Sequence, residues 1–148
     1  MPRATETSRT QHAVLRRLAG ELLGLVDEED GLDGAAVRTM LERIGALLKA
    51  HIEMEVEILY PPLLEHGDTD IRELATTMMP RVKDISDGFF TFQNAWSPEK
   101  IRANRDVFQR QARFVCDVLQ KSTLHEEANL YERIDAAVTK RAQGGERA

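Results

Sequence analysis

The sequence is poor in cysteine, in aromatic residues and in long apolar runs, and these shortages exclude several classes of protein. Its single cysteine, Cys116, rules out an internal disulfide framework and a zinc site built from cysteines. One free thiol suits a reducing compartment, so we expect a cytoplasmic location. No apolar run reaches the length of a membrane span, and the first residues lack the apolar stretch of a secretory signal. We therefore expect no membrane partner.

Size and charge narrow the range further. A chain of 148 residues, of which 42% are apolar and 30% charged, is typical of one soluble domain. We assign residues 1–148 to this domain, with flexible tails at about residues 1–7 and 142–148. The 20 basic and 25 acidic side chains give a net charge of -5, which argues against nucleic acid as a partner. The sequence has no nucleophile and base pair, phosphate-binding loop or glycine-rich elbow, so we do not expect an enzyme.

Apolar residues recur at every third or fourth position through almost the whole chain, and the alternation typical of strands is missing. This periodicity predicts an all-α protein. The predicted helices run from about Ser8 to Asp27, from Ala35 to His66, from Asp70 to Trp96 and from Ser97 to about residue 142. Four amphipathic helices joined by short loops favour an antiparallel up-down-up-down four-helix bundle.

Particular residues mark the ends of the predicted helices. Ser8-Arg9-Thr10-Gln11 has the form of a capping box at the start of the first helix. Pro61 and Pro62 should kink the second helix or end its regular part early. Gly67 follows that helix, where we expect a left-handed C-terminal cap. Ser97-Pro98 is a strong start signal for the fourth helix, because serine caps a helix N-terminus and proline fits its first turn.

The second helix directs two polar residues towards the core. At 100° per residue, His51 and Glu55 lie within about 40° of the centre of its apolar stripe, whereas Glu53 and Glu57 lie on the opposite side. A buried carboxylate needs a cation, a proton or several hydrogen-bond donors, since burying it unpaired costs several kcal/mol. We therefore expect Glu55 to be buried beside His51, with Glu53 and Glu57 in solvent. His12 shares the apolar face of the first helix, so it points inward too.

A histidine and a glutamate four positions apart on a buried helix face, with a histidine from a neighbouring helix, are how helical bundles build non-haem metal sites. The segments His12-Ala13-Val14-Leu15-Arg16, His51-Ile52-Glu53-Met54-Glu55 and Ile58-Leu59-Tyr60-Pro61 resemble the hemerythrin-like (HHE cation-binding) family. The likeness extends over most of the chain, because Ile85-Ser86-Asp87-Gly88-Phe89 resembles the third helix of some bacterial members. The resemblance implies that His12, His51 and Glu55 bind non-haem iron, mononuclear or dinuclear, or another divalent cation.

The fourth helix offers a further ligand. Glu126-Glu127-Ala128-Asn129-Leu130-Tyr131 echoes Glu55-Val56-Glu57-Ile58-Leu59-Tyr60, 71 residues earlier, which suits two helical hairpins related by a pseudo-twofold axis. The echo places Glu126 opposite Glu55, so we expect the two carboxylates at the same depth, sharing a cation or a proton. His125 lies about 70° from the inward stripe of this helix, and a modest twist would bring it in instead. Both His125 and Glu126 are candidate ligands.

Two functions fit this sequence. The candidate ligands are His12, His51, Glu55, His125 and Glu126. They are fewer than the family's oxygen-binding site uses, and the third helix offers none, so we do not expect reversible oxygen carriage. The first hypothesis is a metal-binding protein that senses oxygen, nitric oxide or redox state, or that handles metal. The second is a metal-free bundle that regulates or binds a protein partner, in which a proton or local hydrogen-bond donors stabilise the buried Glu55.

Overall fold

The structure is a computed structural model that describes residues 4–28 and 32–146. All regular elements of these residues are helical, which confirms the all-α prediction. The α-helices are α1 (Glu6–Val26), α2 (Gly34–Met54), α3 (Tyr60–His66), α4 (Thr69–Ala95), α5 (Pro98–Ala103), α6 (Arg105–Glu126) and α7 (Glu132–Glu146). Two π-helical turns, Glu55–Leu59 and Glu127–Tyr131, join α2 to α3 and α6 to α7.

The described part includes portions of the two predicted tails. Residues 6–7 belong to α1 and residues 142–146 to α7. Residues 1–3 and 147–148 of those tails, and residues 29–31 of the predicted break after the first helix, lie outside the described residues. Within the described ranges, no helix combines the length and the apolar character needed to cross a membrane.

The four long helices pack around a shared interior. α1 contacts α2 and α6, and α4 contacts the same two helices. The larger apolar core lies among these helices and includes Leu15, Leu48 and Leu119. A smaller core gathers around Tyr60 and Tyr131. Along α2 and α6, buried polar side chains fall between the two cores.

The helix start predicted at Ser97 is confirmed. The Ser97 hydroxyl accepts a hydrogen bond from the Lys100 backbone N–H at 3.2 Å, and Pro98 occupies the first turn of α5. The prediction of one continuous helix from this point is wrong, because the chain breaks at Asn104 before α6 begins. The Asn104 backbone, with φ -131° and ψ 50°, lies outside the helical region.

The capping box predicted at Ser8 is wrong. α1 already begins at Glu6, and Ser8 is buried inside it, with its hydroxyl 3.7 Å from Met54 Sδ. The reason is a contact with α7 that sequence periodicity does not show. The Thr5 hydroxyl donates a hydrogen bond to Asp135 at 2.8 Å, and this bond holds the start of α1 one turn earlier.

The left-handed cap predicted at Gly67 is also wrong. Gly67 has φ -66° and ψ 155°, an extended conformation open to any residue. The position requires glycine for lack of space, since a Cβ atom there would lie 2.4 Å from the Leu63 carbonyl oxygen.

The second predicted helix is interrupted at Glu55, where the hydrogen-bond ladder changes. The Tyr60 N–H donates to the Glu55 carbonyl, five residues back, as in a π-helix. Pro61 and Pro62 follow in the first turn of α3, and neither has an N–H to continue the α-helical ladder. The same five-residue bond forms in the second hairpin, from the Glu132 N–H to the Glu127 carbonyl. Such π turns within helices are frequent at functional sites.

Candidate metal centre

Four buried side chains meet between the two apolar cores. His12 comes from α1, His51 from the end of α2, Glu55 from the first position of the π turn and Glu126 from the last position of α6. Each offers one nitrogen or oxygen atom, and these atoms lie within 4.8 Å of one another. All four residues are at most 2% exposed. The predicted proximity of the Glu55 and Glu126 carboxylates is therefore confirmed.

The burial predicted for the segment around Glu55 is confirmed as well. Glu55 is fully buried, whereas Glu53 and Glu57 are exposed. One acid of the three thus faces the interior, next to His51. The i, i+4 spacing brings the His51 and Glu55 side chains together, because the α-helical bond from the Glu55 N–H to the His51 carbonyl is still formed at the end of α2.

The distances within the group match those between adjacent ligands of a single ion. His12 Nε2 lies 3.0 Å from His51 Nε2 and 2.9 Å from Glu126 Oε1. His51 Nε2 lies 3.0 Å from Glu55 Oε1. Two ligands bound at about 2.1 Å and at right angles would be about 3 Å apart. Imidazole nitrogen and carboxylate oxygen together suit iron and other divalent transition metals.

A glutamine fixes the orientation of one of the two imidazoles. The Nδ1 atom of His51 lies 2.6 Å from Gln11 Oε1, which can only accept, so the ring proton sits on Nδ1. The Nε2 atom of His51 therefore presents a lone pair to the centre. Burial lowers the pKa of His51, against the opposing effect of Glu126, and favours the neutral ring that a metal ligand requires.

Two tyrosines hold the carboxylates, each reaching into the opposite hairpin. The Tyr60 hydroxyl donates to Glu126 Oε2 at 2.6 Å. The Tyr131 hydroxyl hydrogen-bonds to Glu55 Oε1 and lies 2.8 Å from Glu126 Oε1. Burial, with the neighbouring carboxylates, raises the pKa of both tyrosines, so both remain phenols.

The two carboxyl groups differ in protonation. Burial raises the pKa of Glu55 well above its usual range, and the negative charge of Glu126 raises it further. Burial acts on Glu126 in the same direction, but hydrogen bonds from His12 and Tyr60 outweigh it and lower the pKa of Glu126. These opposite shifts favour one carboxylate and one neutral acid, so a cation that binds Glu55 would compete with its proton.

Arginines surround the centre on its outer side. Arg16 Nη1 lies 2.5 Å from Glu127 Oε2, and that oxygen lies 3.4 Å from His12 Nδ1. Arg9 packs over the Tyr131 ring, 5.7 Å from its centroid. Sequence reasoning missed the contributions of Gln11, Arg9, Arg16 and Glu127. Their pairings join helices that are distant in sequence, so a periodicity within one helix carries no signal for them.

His125 does not join the group. Its side chain is exposed at the end of α6, with Nδ1 3.1 Å from the Asn129 amide nitrogen. Of the two candidates from the fourth predicted helix, the structure brings Glu126 into the centre and leaves His125 outside.

Two histidines and two carboxylic acids, buried together among helices, define this chain as a helical protein with a candidate metal centre. A comparison with protein families matches residues 3–79 to the hemerythrin HHE cation-binding domain. The match spans just over half of the chain, and the chain therefore belongs to this family. His12, His51 and Glu55 lie within the matched region, whereas Glu126 lies beyond it. No curated protein and no solved structure gives a significant match.

Proposed function

We propose that this protein binds non-haem iron, or another divalent cation, through His12, His51, Glu55 and Glu126. The site would lie inside an antiparallel four-helix bundle of the hemerythrin type. Membership of the cation-binding family supports this proposal, and so does the packing of α1 and α4 against both α2 and α6.

The observation that carries the proposal is a pair of buried atoms without partners. Of the three buried side-chain atoms that make no hydrogen bond in the described residues, two belong to this centre, Glu55 Oε2 and His12 Nδ1, and the third is Gln93 Oε1. Such orphaned atoms are rare, because each costs about 1–3 kcal/mol. A cation bound to Glu55 would satisfy the first. A cation on His12 Nε2 would leave the ring proton on Nδ1, which could then donate a hydrogen bond to the Glu127 carboxylate, 3.4 Å away.

The biological role proposed for the bound metal is sensing of oxygen, nitric oxide or redox state, or metal handling, in the cytoplasm. Iron supplies a reversible change of oxidation state and coordination positions beyond those that four protein ligands fill. The chain's own residues would hold and position the cation. None of the four is placed to act as an activated nucleophile, and we propose a role other than enzyme catalysis.

Metal analysis tests this proposal directly. The protein would be reconstituted with iron(II) without oxygen, desalted, and measured for iron per chain together with its absorption spectrum. We expect retained iron in the wild type and loss of it in Glu55→Gln and His12→Ala. Glu53→Gln and His125→Ala are matched controls of the same residue types outside the centre, and both should retain iron. Equal iron content in all five proteins would contradict the assignment.

A second candidate function is a metal-free regulatory or protein-interaction module. The observation in its favour is that the two tyrosine hydroxyls and a neutral Glu55 already satisfy most of the polar atoms of the group. A wild-type protein that takes up no iron, manganese or zinc under reconstitution would support this function over the first.

A further inference from the structure

A cavity of about 770 Å³ lies beside the smaller apolar core. The start of α1, the end of α2, the first π turn, α3, the start of α4 and α7 form its walls. None of the four candidate metal ligands lines it, so this space is separate from the candidate metal centre. Clefts of about 300–1,000 Å³ are the size that binds small organic molecules.

Most of the side chains that line this cavity are apolar. Ile58 and Leu59 come from the π turn, Leu63 from α3, and Ile134 and Val138 from α7. Of the five large apolar side chains that the described residues expose, two line this cavity: Ile58 is 67% exposed and Val138 is 47% exposed. Removing apolar surface from water is favourable, so this lining favours a ligand with an apolar body.

The cavity is recessed into the fold. Ser8, Ile71 and Ile134 are among its lining residues, and each is at most 5% exposed. A bilayer or the helix of a partner protein presents a broad surface, whereas a single alkyl chain can enter a recess. The shape therefore favours a free small molecule.

Three titratable side chains line the cavity, and one of them leaves its charge unbalanced. Asp68 Oδ1 accepts a hydrogen bond from the Ile71 backbone N–H at 2.9 Å, at the N-terminus of α4, where the helix dipole balances a negative charge. His66 Nε2 lies 3.6 Å from Glu65 Oε2. Lys140 is exposed and forms no ion pair with the described residues. An anionic group at the rim would therefore meet a cation that none of these acids already neutralises.

We propose that this cavity binds an amphiphile with one apolar chain and an anionic head group, that is, a long-chain carboxylate such as a fatty acid. The chain lies against the π turn, α3 and α7, and the carboxylate meets Lys140 at the rim. An uncharged apolar ligand would leave Lys140 unpaired, and a small anion would leave the apolar lining in water. The proposal does not depend on metal binding.

Calorimetric titration of the metal-free wild type with dodecanoate, below the concentration at which it forms micelles, tests the ligand class. We expect one dodecanoate per chain. Decanoate, two methylenes shorter, should bind about 15-fold more weakly, since each buried methylene changes the affinity about fourfold. Dodecyltrimethylammonium, which has the same chain and a cationic head, should bind more weakly as well. Absence of dodecanoate binding, or equal affinity for the two heads, would overturn the proposal.

Two variants test where the chain and the head lie. Ala137 lines the cavity on α7, so Ala137→Trp should fill it and abolish binding, whereas Ala136→Trp alters the exposed neighbour outside the cavity and should not. Lys140→Glu should weaken dodecanoate binding about fivefold or more. Lys83→Glu makes the same change at an exposed lysine outside the cavity and should have no effect. Unchanged affinity in either cavity variant would overturn the proposal, and the exposed Lys140 keeps the test valid if Ala137→Trp fails to fold.

Two other occupants of the cavity would give different results. A wild type that is dimeric by light scattering and binds no dodecanoate would assign the cavity to a second copy of the chain. A wild type that binds phosphatidylglycerol vesicles but no monomeric dodecanoate would assign it to a membrane surface. Either result would overturn the proposal.

Discussion

Replacing Glu55 distinguishes the metal-binding hypothesis from the metal-free one, because the two predict different effects on the stability of the protein. If a cation binds the folded chain only, it stabilises the protein by about 2.7 kcal/mol at a hundredfold excess over its dissociation constant. At about 2–4 °C per kcal/mol for a chain of this size, the midpoint of thermal unfolding should rise by about 5–10 °C. Glu55→Gln keeps the side-chain volume but removes the charged ligand, so its midpoint should no longer respond to iron.

Without metal, the effect of Glu55→Leu follows from the contacts around the carboxyl group. The Tyr131 hydroxyl keeps Glu126 as a partner at 2.8 Å, and His51 Nε2, which faces Glu55, keeps His12 Nε2 at 3.0 Å. Removing Glu55 therefore orphans neither neighbour, and it eliminates the buried, unpartnered Oε2 atom. We expect the metal-free variant to be as stable as the wild type or more stable by about 1 kcal/mol.

Thermal unfolding of the wild type and both variants, with and without iron(II) under anaerobic conditions, measures both effects. Glu53→Gln serves as the control, because that acid is exposed on the same segment. A wild-type midpoint unmoved by iron, together with a stabilised Glu55→Leu, would refute the metal assignment and leave the interaction module.

Three further predictions concern single side chains. Gln11→Ala should lower iron(II) affinity about 10–100-fold in a chelator competition, because the His51 ring loses the acceptor that fixes its tautomer. Gln109→Ala is the control and should have no effect, because Gln109 donates to the Val26 carbonyl. Iron(II) affinity measured by calorimetry should rise as the pH is raised, because the raised pKa of Glu55 makes its proton compete with the cation at the lower pH, and a flat profile would count against Glu55 as a ligand. Cys116 is fully buried and burial raises its pKa to about 12, so a thiol reagent should modify it only after unfolding; rapid labelling of the folded protein would show that α6 opens.

Sequence periodicity predicted the part of the centre that lies on regular α-helix. His51 lies in the last turn of α2 and Glu55 directly follows that helix, with its N–H still donating to the His51 carbonyl, so the count of 100° per residue places both correctly on the inward face. His12 follows from the same rule on α1. Such reasoning succeeds because the orientation of a side chain within one straight helix depends only on the count of residues.

The rule fails beyond the π turns. Tyr60 stands five residues after Glu55, and 100° per residue would turn it about 140° away from that inward face. It is nevertheless fully buried, because a π turn contains more residues than an α-helical turn and therefore rotates less per residue. Tyr131 is related to Glu126 by the same count and is also fully buried. The contacts of these tyrosines could not be derived, since they depend on an irregular turn in one hairpin and a partner in the other.

Each hairpin contributes a tyrosine that binds a carboxyl group of the other hairpin, and this arrangement bears on whether the chain folds before or after it binds metal. Tyr60 holds Glu126 and Tyr131 holds Glu55, and neither of these hydrogen bonds requires a cation. Domains whose ligands gather only around the metal remain unfolded without it. Here the apolar cores and the tyrosine contacts assemble the site in advance, and the arrival of a cation requires the departure of a proton rather than the movement of helices. We therefore expect a newly made chain to fold when metal is scarce and to bind the metal later.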